Sequence, residues 1–196
     1  MKDLSSHMMD IVQNSIRAEA SWIQIRICED PEADLFLIEI QDNGCGMDEA
    51  TLARVRDPFF TSRTVRKVGL GIPLLQQNAE RTGGKVSIVS QPGQGTTLTA
   101  RFGHSHLDRP PLGDVAETLT LLAAAKPAIH FSYNTIHFSY NHTTPSGTYR
   151  FDTQEIIQVL EGVPLGHPEI LPAIQNLIRE NLKKIHAGQS MSIRQS

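Results

Sequence analysis

The chain has 196 residues, 39% of them hydrophobic and 20% charged, and a net charge of −3. That length supports one substantial core, or one domain of about 100 residues with a smaller unit beside it. The weak acidity and the lack of a basic stripe argue against a nucleic-acid surface.

Two cysteines, Cys28 and Cys45, make no disulfide framework and suit a reducing compartment. No C-x-x-C or paired His spacing marks a structural zinc site. No run of about 18 apolar residues is present, nor an apolar leader with a cleavage site. A cytoplasmic protein is expected, with any membrane link made through a partner.

Leu4–Ala20 predicts an amphipathic helix. At about 100° per residue, Leu4, Met8, Ile11, Val12 and Ile16 share one side, and His7, Asp10, Asn14 and Arg17 share the other. Such a polar stripe is ordinarily a solvated face. A carboxylate, an amide oxygen and a guanidinium in line also suit a water, a hard cation and a phosphate.

Trp22–Cys28 alternates Ile23, Ile25 and Ile27 with polar residues and predicts a half-buried strand. Leu35–Gln41 predicts the next, joined most simply as a hairpin. It runs into Asp42-Asn-Gly44-Cys-Gly46-Met47-Asp48, a carboxylate at the end of a buried strand followed by two glycines. Glycines there allow a tight turn and close approach to a flat ligand. A buried carboxylate needs a partner, and an exocyclic amine is a good one. Glu49–Val55 predicts a short helix capped by Asp48.

Phe59–Gly71 is rich in Thr, Ser, Arg and Lys and ends in Gly69-Leu70-Gly71; Ile72–Arg81 predicts a helix. Glycines opening a helix present free N–H groups to an anion. Lys85–Gln91 and Thr96–Phe102 alternate around Pro92-Gly93-Gln94-Gly95 and predict a hairpin.

Taken in order, these pieces resemble the ATP-binding domain of the GHKL superfamily, which includes gyrase, the heat-shock chaperone, histidine kinases and the mismatch-repair ATPase. Asp10-Ile-Val-Gln-Asn14-Ser-Ile-Arg17 is similar to its N box, and Asp42-x-Gly44-x-Gly46-Met47 to its G1 box. Pro58-Phe-Phe-Thr61-Ser62-Arg63 resembles the F box of histidine kinases. Gly69-Leu70-Gly71 resembles G2, and Gly95-Thr96-Thr97-Leu resembles G3.

The resemblance implies an α+β, two-layer sandwich on a mixed sheet, the Bergerat fold, over residues 1–103. It implies that Asp42 binds the adenine amine, that Gly44, Gly46 and Met47 shape the purine pocket, and that Thr96, with Thr97 beside it, holds a water near the base. Asn14 is implied as the Mg²⁺ ligand and Arg17 as a phosphate contact. Gly69, Leu70 and Gly71 would cradle phosphates with Thr61, Ser62, Arg63 and Lys67.

Two departures stand out. The family's ATPases carry Glu where this chain has Asp10, which is then the candidate base for an attacking water, one methylene shorter. The lid is short, Thr61–Val68. With thirteen residues before Asn14, a preceding phosphoacceptor domain is not expected. His7 shares the face of Asp10 and Asn14, but a residue on the site's own helix is poorly placed for in-line transfer.

Residues 104–113 predict a linker, where His104, His106 and Asp108 are weak metal-ligand candidates. Residues 114–187 predict a separate small α+β unit of unknown role, and residues 188–196 a disordered tail. The sextet IHFSYN occurs twice, at Ile129–Asn134 and Ile136–Asn141. Their offset of seven would place the copies on opposite faces of one strand, so a hairpin between them is expected. His130, His137, His142 and His167 are poor phosphoacceptor candidates.

The function expected is an Mg-ATP-dependent kinase passing the γ-phosphoryl to a histidine, or less readily a serine, of a partner protein in signalling. The alternatives are an ATP-dependent conformational switch or slow ATPase, similar to the mismatch-repair ATPase, and a nucleotide-binding regulatory module without turnover.

Overall fold

A computed structural model describes residues 3–56, 71–124 and 136–187. Among these residues, six strands form one sheet in the order β3-β4-β2-β1-β5-β6. The elements are α1 (Leu4–Arg17), β1 (Trp22–Asp30), β2 (Leu35–Asp42), α2 (Glu49–Arg56), α3 (Gly71–Arg81), β3 (Lys85–Gln91) and β4 (Gly95–Gly103). They continue with α4 (Val115–Ala124), β5 (His137–Thr144), β6 (Gly147–Asp152), α5 (Thr153–Val159) and α6 (Ile170–Ala187).

Strand alternation puts one side chain in two on the face under the helices. Ile88, Leu98, Ile40, Ile25, Tyr140 and Phe151 form one such row across the sheet, each paired in register with the next. All six are buried. α1 lays Leu4, Met8, Ile11 and Val12 into this core, and α6 lays in Ile174 and Ile178. The opposite face carries Gln24, Arg26, Glu39, Lys85 and Arg101 and is half-buried or exposed. A mixed sheet with helices on one side is the α+β Bergerat architecture expected from the sequence.

Two hairpins follow the turn chemistry read from the sequence. β1 pairs β2 from Ile23↔Asp42 to Asp30↔Leu35, and β3 pairs β4 from Lys85↔Arg101 to Gln91↔Gly95. Asp3 caps α1, accepting from Ser6 N at 2.8 Å, and Asp48 caps α2, accepting from Thr51 N at 2.7 Å.

The second half departs from expectation. β5 runs parallel to β1, from Trp22↔His137 to Cys28↔Thr143, and β6 completes the same sheet. Residues 137–152, expected in a separate unit, thus extend the first sheet. The second IHFSYN copy, expected in a hairpin with the first, lies from His137 on in β5, between β1 and β6. From Ser139 to Asn141 both edges of the second copy are taken, by β1 and by β6. The first copy, Ile129–Asn134, lies outside the described residues, as does the tail 188–196.

Residues 104–113, expected as a linker, pack against the domain. Pro111 O and Leu112 O accept from Leu4 N and Ser5 N, satisfying orphan donors at the start of α1. The Arg109 guanidinium sits 4.6 Å above the Phe36 ring.

Candidate functional site

β2 ends in Asp42, directly across from Thr96 of β4, which is across from Ser90 of β3. This corner of the sheet lies under the second half of α1. Between them is a cavity of about 240 Å³. Its walls are apolar: Ile11, Ala18, Ile40, Val55, Ile72, Ile88 and Leu98, with Met47 at the side. Its polar lining is Asn14, Ser15, Arg17, Asp42 and Thr96. An apolar slot with a few convergent polar groups is the ordinary form of a small-ligand site.

Asp42 is 7% exposed, and two donors hold it from behind. Gly44 N donates to Oδ1 at 2.9 Å and the Ser15 hydroxyl donates to Oδ2 at 2.6 Å. Each oxygen keeps a second lone pair for another donor. The Ser90 hydroxyl gives its proton to Gly95 O at 2.9 Å and accepts from Met47 N at 2.9 Å. The Thr96 hydroxyl, 2.9 Å from Ser90 Oγ, is therefore the donor in that pair. Its free lone pairs suit it to accept from a water or ligand.

The glycine turn is clamped on both sides. Cys45 N donates to Ala18 O at 2.8 Å, and Gly93 N donates to Cys45 O at 2.8 Å. A Cβ on Gly44 would fall 2.7 Å from Ala18 O. A Cβ on Gly46, at φ +66°, would overlap Gln91 O. Only glycine allows this approach of backbone to backbone.

Other expected residues fall differently. Asp10 is outside the cavity lining but beside it: a Cβ on Gly71 would lie 3.1 Å from Asp10 Oδ2, so the carboxylate meets the first turn of α3. The Asn14 amide oxygen accepts from Arg17 Nη1 at 2.9 Å. Thr97 lies on the face of β4 opposite Thr96 and is not in the lining. Thr61, Ser62, Arg63, Lys67, Gly69 and Leu70 lie outside the described residues.

The polar stripe of α1 is not a solvated face throughout, because α3 covers part of it. His7 is 1% exposed. Its Nδ1 lies 3.3 Å from Gly71 O, and its Nε2 lies 3.1 Å from Asn78 Nδ2. Burial pushes its pKa down. With both ring nitrogens engaged, it has no free nitrogen for phosphoryl transfer. His142 is fully buried, and His137 Nε2 bonds Asp152.

Ser15 and Ser90 are site residues that sequence reasoning does not single out. Ser15 is one turn after Ile11 and adjoins Asn14 in the same box, so a signal for it exists. Ser90 becomes significant only once β3 is registered on β4.

The sequence model of the histidine kinase-, DNA gyrase B- and HSP90-like ATPase family matches residues 2–106. The chain belongs to that family. Its relatives include a sensor protein kinase, FleS, of Pseudomonas aeruginosa, 36% identical over 92 residues, 47% of this chain and 23% of the relative. The signal transduction histidine-protein kinase AtoS of Escherichia coli is 34% identical over 97 residues, 49% of this chain and 16% of the relative. This chain thus spans under a quarter of the length of either. Among solved structures, the N-terminal domain of a DNA repair protein aligns at 19% identity with a TM-score of 0.47, covering 78% of this chain and 52% of that one. Among the described residues no helix is long and apolar enough to cross a membrane.

Proposed function

We propose that the chain binds Mg-ATP with its base in the cavity between α1 and the β2–β4 corner, and passes the γ-phosphoryl to a histidine of a partner protein. The observation that carries the binding is the state of Asp42: buried, fixed by two donors from behind, with lone pairs left on an apolar slot. An adenine amine answers that arrangement, and the aliphatic walls suit the faces of a purine. Gly44, Gly46 and Met47 shape the slot, and Thr96 takes the bridging water.

Beyond the base, Asn14 and Arg17 lie on the exposed side of the same helix. Asn14 Oδ1 is the residue atom that would hold Mg²⁺, whose chemistry is to neutralise phosphate charge and orient the phosphates. Arg17 now holds that oxygen, and its guanidinium is free to move to phosphate when ligand enters. The first turn of α3 at Gly71 offers its N–H groups on the same side. Thr61, Ser62, Arg63, Lys67, Gly69 and Leu70 complete the reading as phosphate contacts. The kinase relatives support transfer over simple binding. Slow hydrolysis is the second reading, favoured by Asp10 against the start of α3, where a carboxylate can activate a water.

The test uses γ-labelled ATP, Mg²⁺ and candidate partner proteins. Acid-labile, base-stable label on a partner supports the kinase. Free phosphate without protein label supports the second reading. An Asp42→Asn protein that held ATP as tightly as the parent would overturn the binding mode.

A further inference from the structure

The far end of β1 carries a carboxylate where the alternation calls for an apolar side chain. Ile23, Ile25, Ile27 and Glu29 share the covered face, and Glu29 is 8% exposed. Three imidazoles from three separate elements close on it. His142 of β5 places Nε2 2.8 Å from Oε1, and His186 of the last turn of α6 places Nε2 3.0 Å from the same oxygen. His104, just past β4, places Nε2 3.2 Å from Oε2. The ligand atoms of Glu29, His142 and His186 all lie within 4.8 Å of one another.

The outer nitrogens are already committed. His186 Nδ1 donates to Leu182 O at 2.7 Å, and His142 Nδ1 lies 2.9 Å from the Tyr140 hydroxyl. Metal-binding histidines are oriented in this way, by a second hydrogen bond on the nitrogen away from the ion. It also sets a proton-counting problem. With its proton on Nδ1, a neutral His186 turns a lone pair on Nε2 toward a carboxylate lone pair. Only a cation between them removes that repulsion, either an extra proton or a metal ion.

We propose that Glu29, His142 and His186, with His104 on the fourth side, bind one divalent transition-metal ion, for which zinc suits the donors best. Three imidazoles and a carboxylate match the ligands and coordination number of zinc, whereas calcium and magnesium prefer all-oxygen shells. Zinc bonds of about 2.0–2.1 Å set tetrahedral ligands about 3.3 Å apart. The Glu29 contacts to His142 and His186 need to open by only a few tenths of an ångström, while His104, which meets the other carboxylate oxygen, must swing inward; His186, 36% exposed, has room to move. The ion's route in is the open cleft between α4 and α6, which His186 lines with Leu182 and Lys183.

This site is separate from the nucleotide cavity. Glu29 and Ile23, the residue across from Asp42, lie six positions apart on β1, about 20 Å. Four protein ligands would close the shell, so the ion is structural. It would tie α6 and β5 to the ends of β1 and β4, joining residues beyond the family-matched range to those within it.

The test strips the full chain with a chelator, returns Zn²⁺, and measures retained metal and the thermal midpoint without nucleotide. One zinc per chain and a midpoint raised by several degrees are expected. His186→Gln and His104→Gln should each weaken zinc binding at least tenfold while ATP affinity stays at the parent value, which also shows that the variants fold. Co²⁺ in the same site should give the intense visible bands of a tetrahedral ion. No zinc retained by the parent, equal uptake by the parent and both variants, or a weak octahedral cobalt spectrum would overturn the proposal.

Discussion

The Ser15 hydroxyl donates to Asp42 Oδ2 at 2.6 Å, so the opening helix fixes the rotamer of the carboxylate that ends the second strand. Helix and sheet are thereby tied within the lining of the cavity. A hydrogen bond to a charged acceptor contributes about 1.5–3 kcal/mol. Ser15→Ala should therefore weaken ATP binding about tenfold, equivalent to about 1.4 kcal/mol. Calorimetric titration of ATP checks it, and an affinity within twofold of the parent would show that Asp42 needs no help from α1.

The β3–β4 turn offers a contrast between two glycines of similar backbone. Gly93 has φ +74° and open space where a methyl would point, whereas Gly95 has φ +82° and its methyl would overlap Asp42 O. Gly93→Ala should cost only the left-handed backbone strain, about 1–2 kcal/mol. Gly95→Ala adds a backbone clash beside Asp42 and should cost about 3 kcal/mol or more, with loss of ATP binding. Urea denaturation of the two variants checks the order; equal losses would show that the turn can shift away from Asp42.

Much of this corner was legible because its signals are local. Strand alternation, the Asp42-x-Gly44-x-Gly46 turn and the Pro92-Gly93 hairpin each fall within a few residues. The partners of Asp42 were harder, since Ser15 is brought to it only by packing of α1 on β2. The Glu29 cluster had almost no sequence signal, His104 alone having stood out as a metal-ligand candidate, and then beside His106 and Asp108 rather than Glu29. Its members, Glu29, His104, His142 and His186, are separated by long stretches of chain, and no spacing rule links them. The β1–β5 pairing was hidden for a related reason: parallel strands need a long crossover, and the repeated IHFSYN pointed to a hairpin instead. Helical periodicity places His7 on the polar stripe of α1 but cannot tell that α3 covers that side.

His7 gives a pH dependence with a definite sign. Burial lowers its pKa below the usual 6.5, against the pull of the Gly71 carbonyl, Asp10 and Asp3. The unfolded chain therefore takes up this proton first as pH falls. The stability owed to a neutral His7 is complete above 6.5 and is lost as pH drops below that value. His186 has the opposite sign, because its pKa is raised by Glu29. The measurement is thus the difference between the parent and His7→Gln, unfolded in urea at about pH 7.5 and about pH 5.5. The parent should lose more stability than the variant on acidification. Equal losses would mean that His7 is charged in the folded protein.

The parallel pairing of β5 on β1 predicts how the chain responds to being cut. Ile23, Ile25 and Ile27 lie in register with Phe138, Tyr140 and His142 along seven paired positions, Trp22↔His137 to Cys28↔Thr143. α4 and α6 complete the cover with Leu119, Leu122, Ile174 and Ile178, all buried. A chain ending at Gly103 would keep the whole family-matched β-sheet yet leave β1 as a bare edge with open backbone groups. Such an edge, whose covered face turns Ile23, Ile25 and Ile27 inward and has a charge only at Glu29 near its far end, invites pairing with a second copy. The fragment should therefore aggregate, or melt well below the full chain, even though it retains Asp42, Asn14 and Thr96. Light scattering and thermal melts of the two proteins at equal concentration check this. A monomeric fragment that melts with the parent and binds ATP equally well would show that β5, β6 and the later helices are a detachable addition to the sheet.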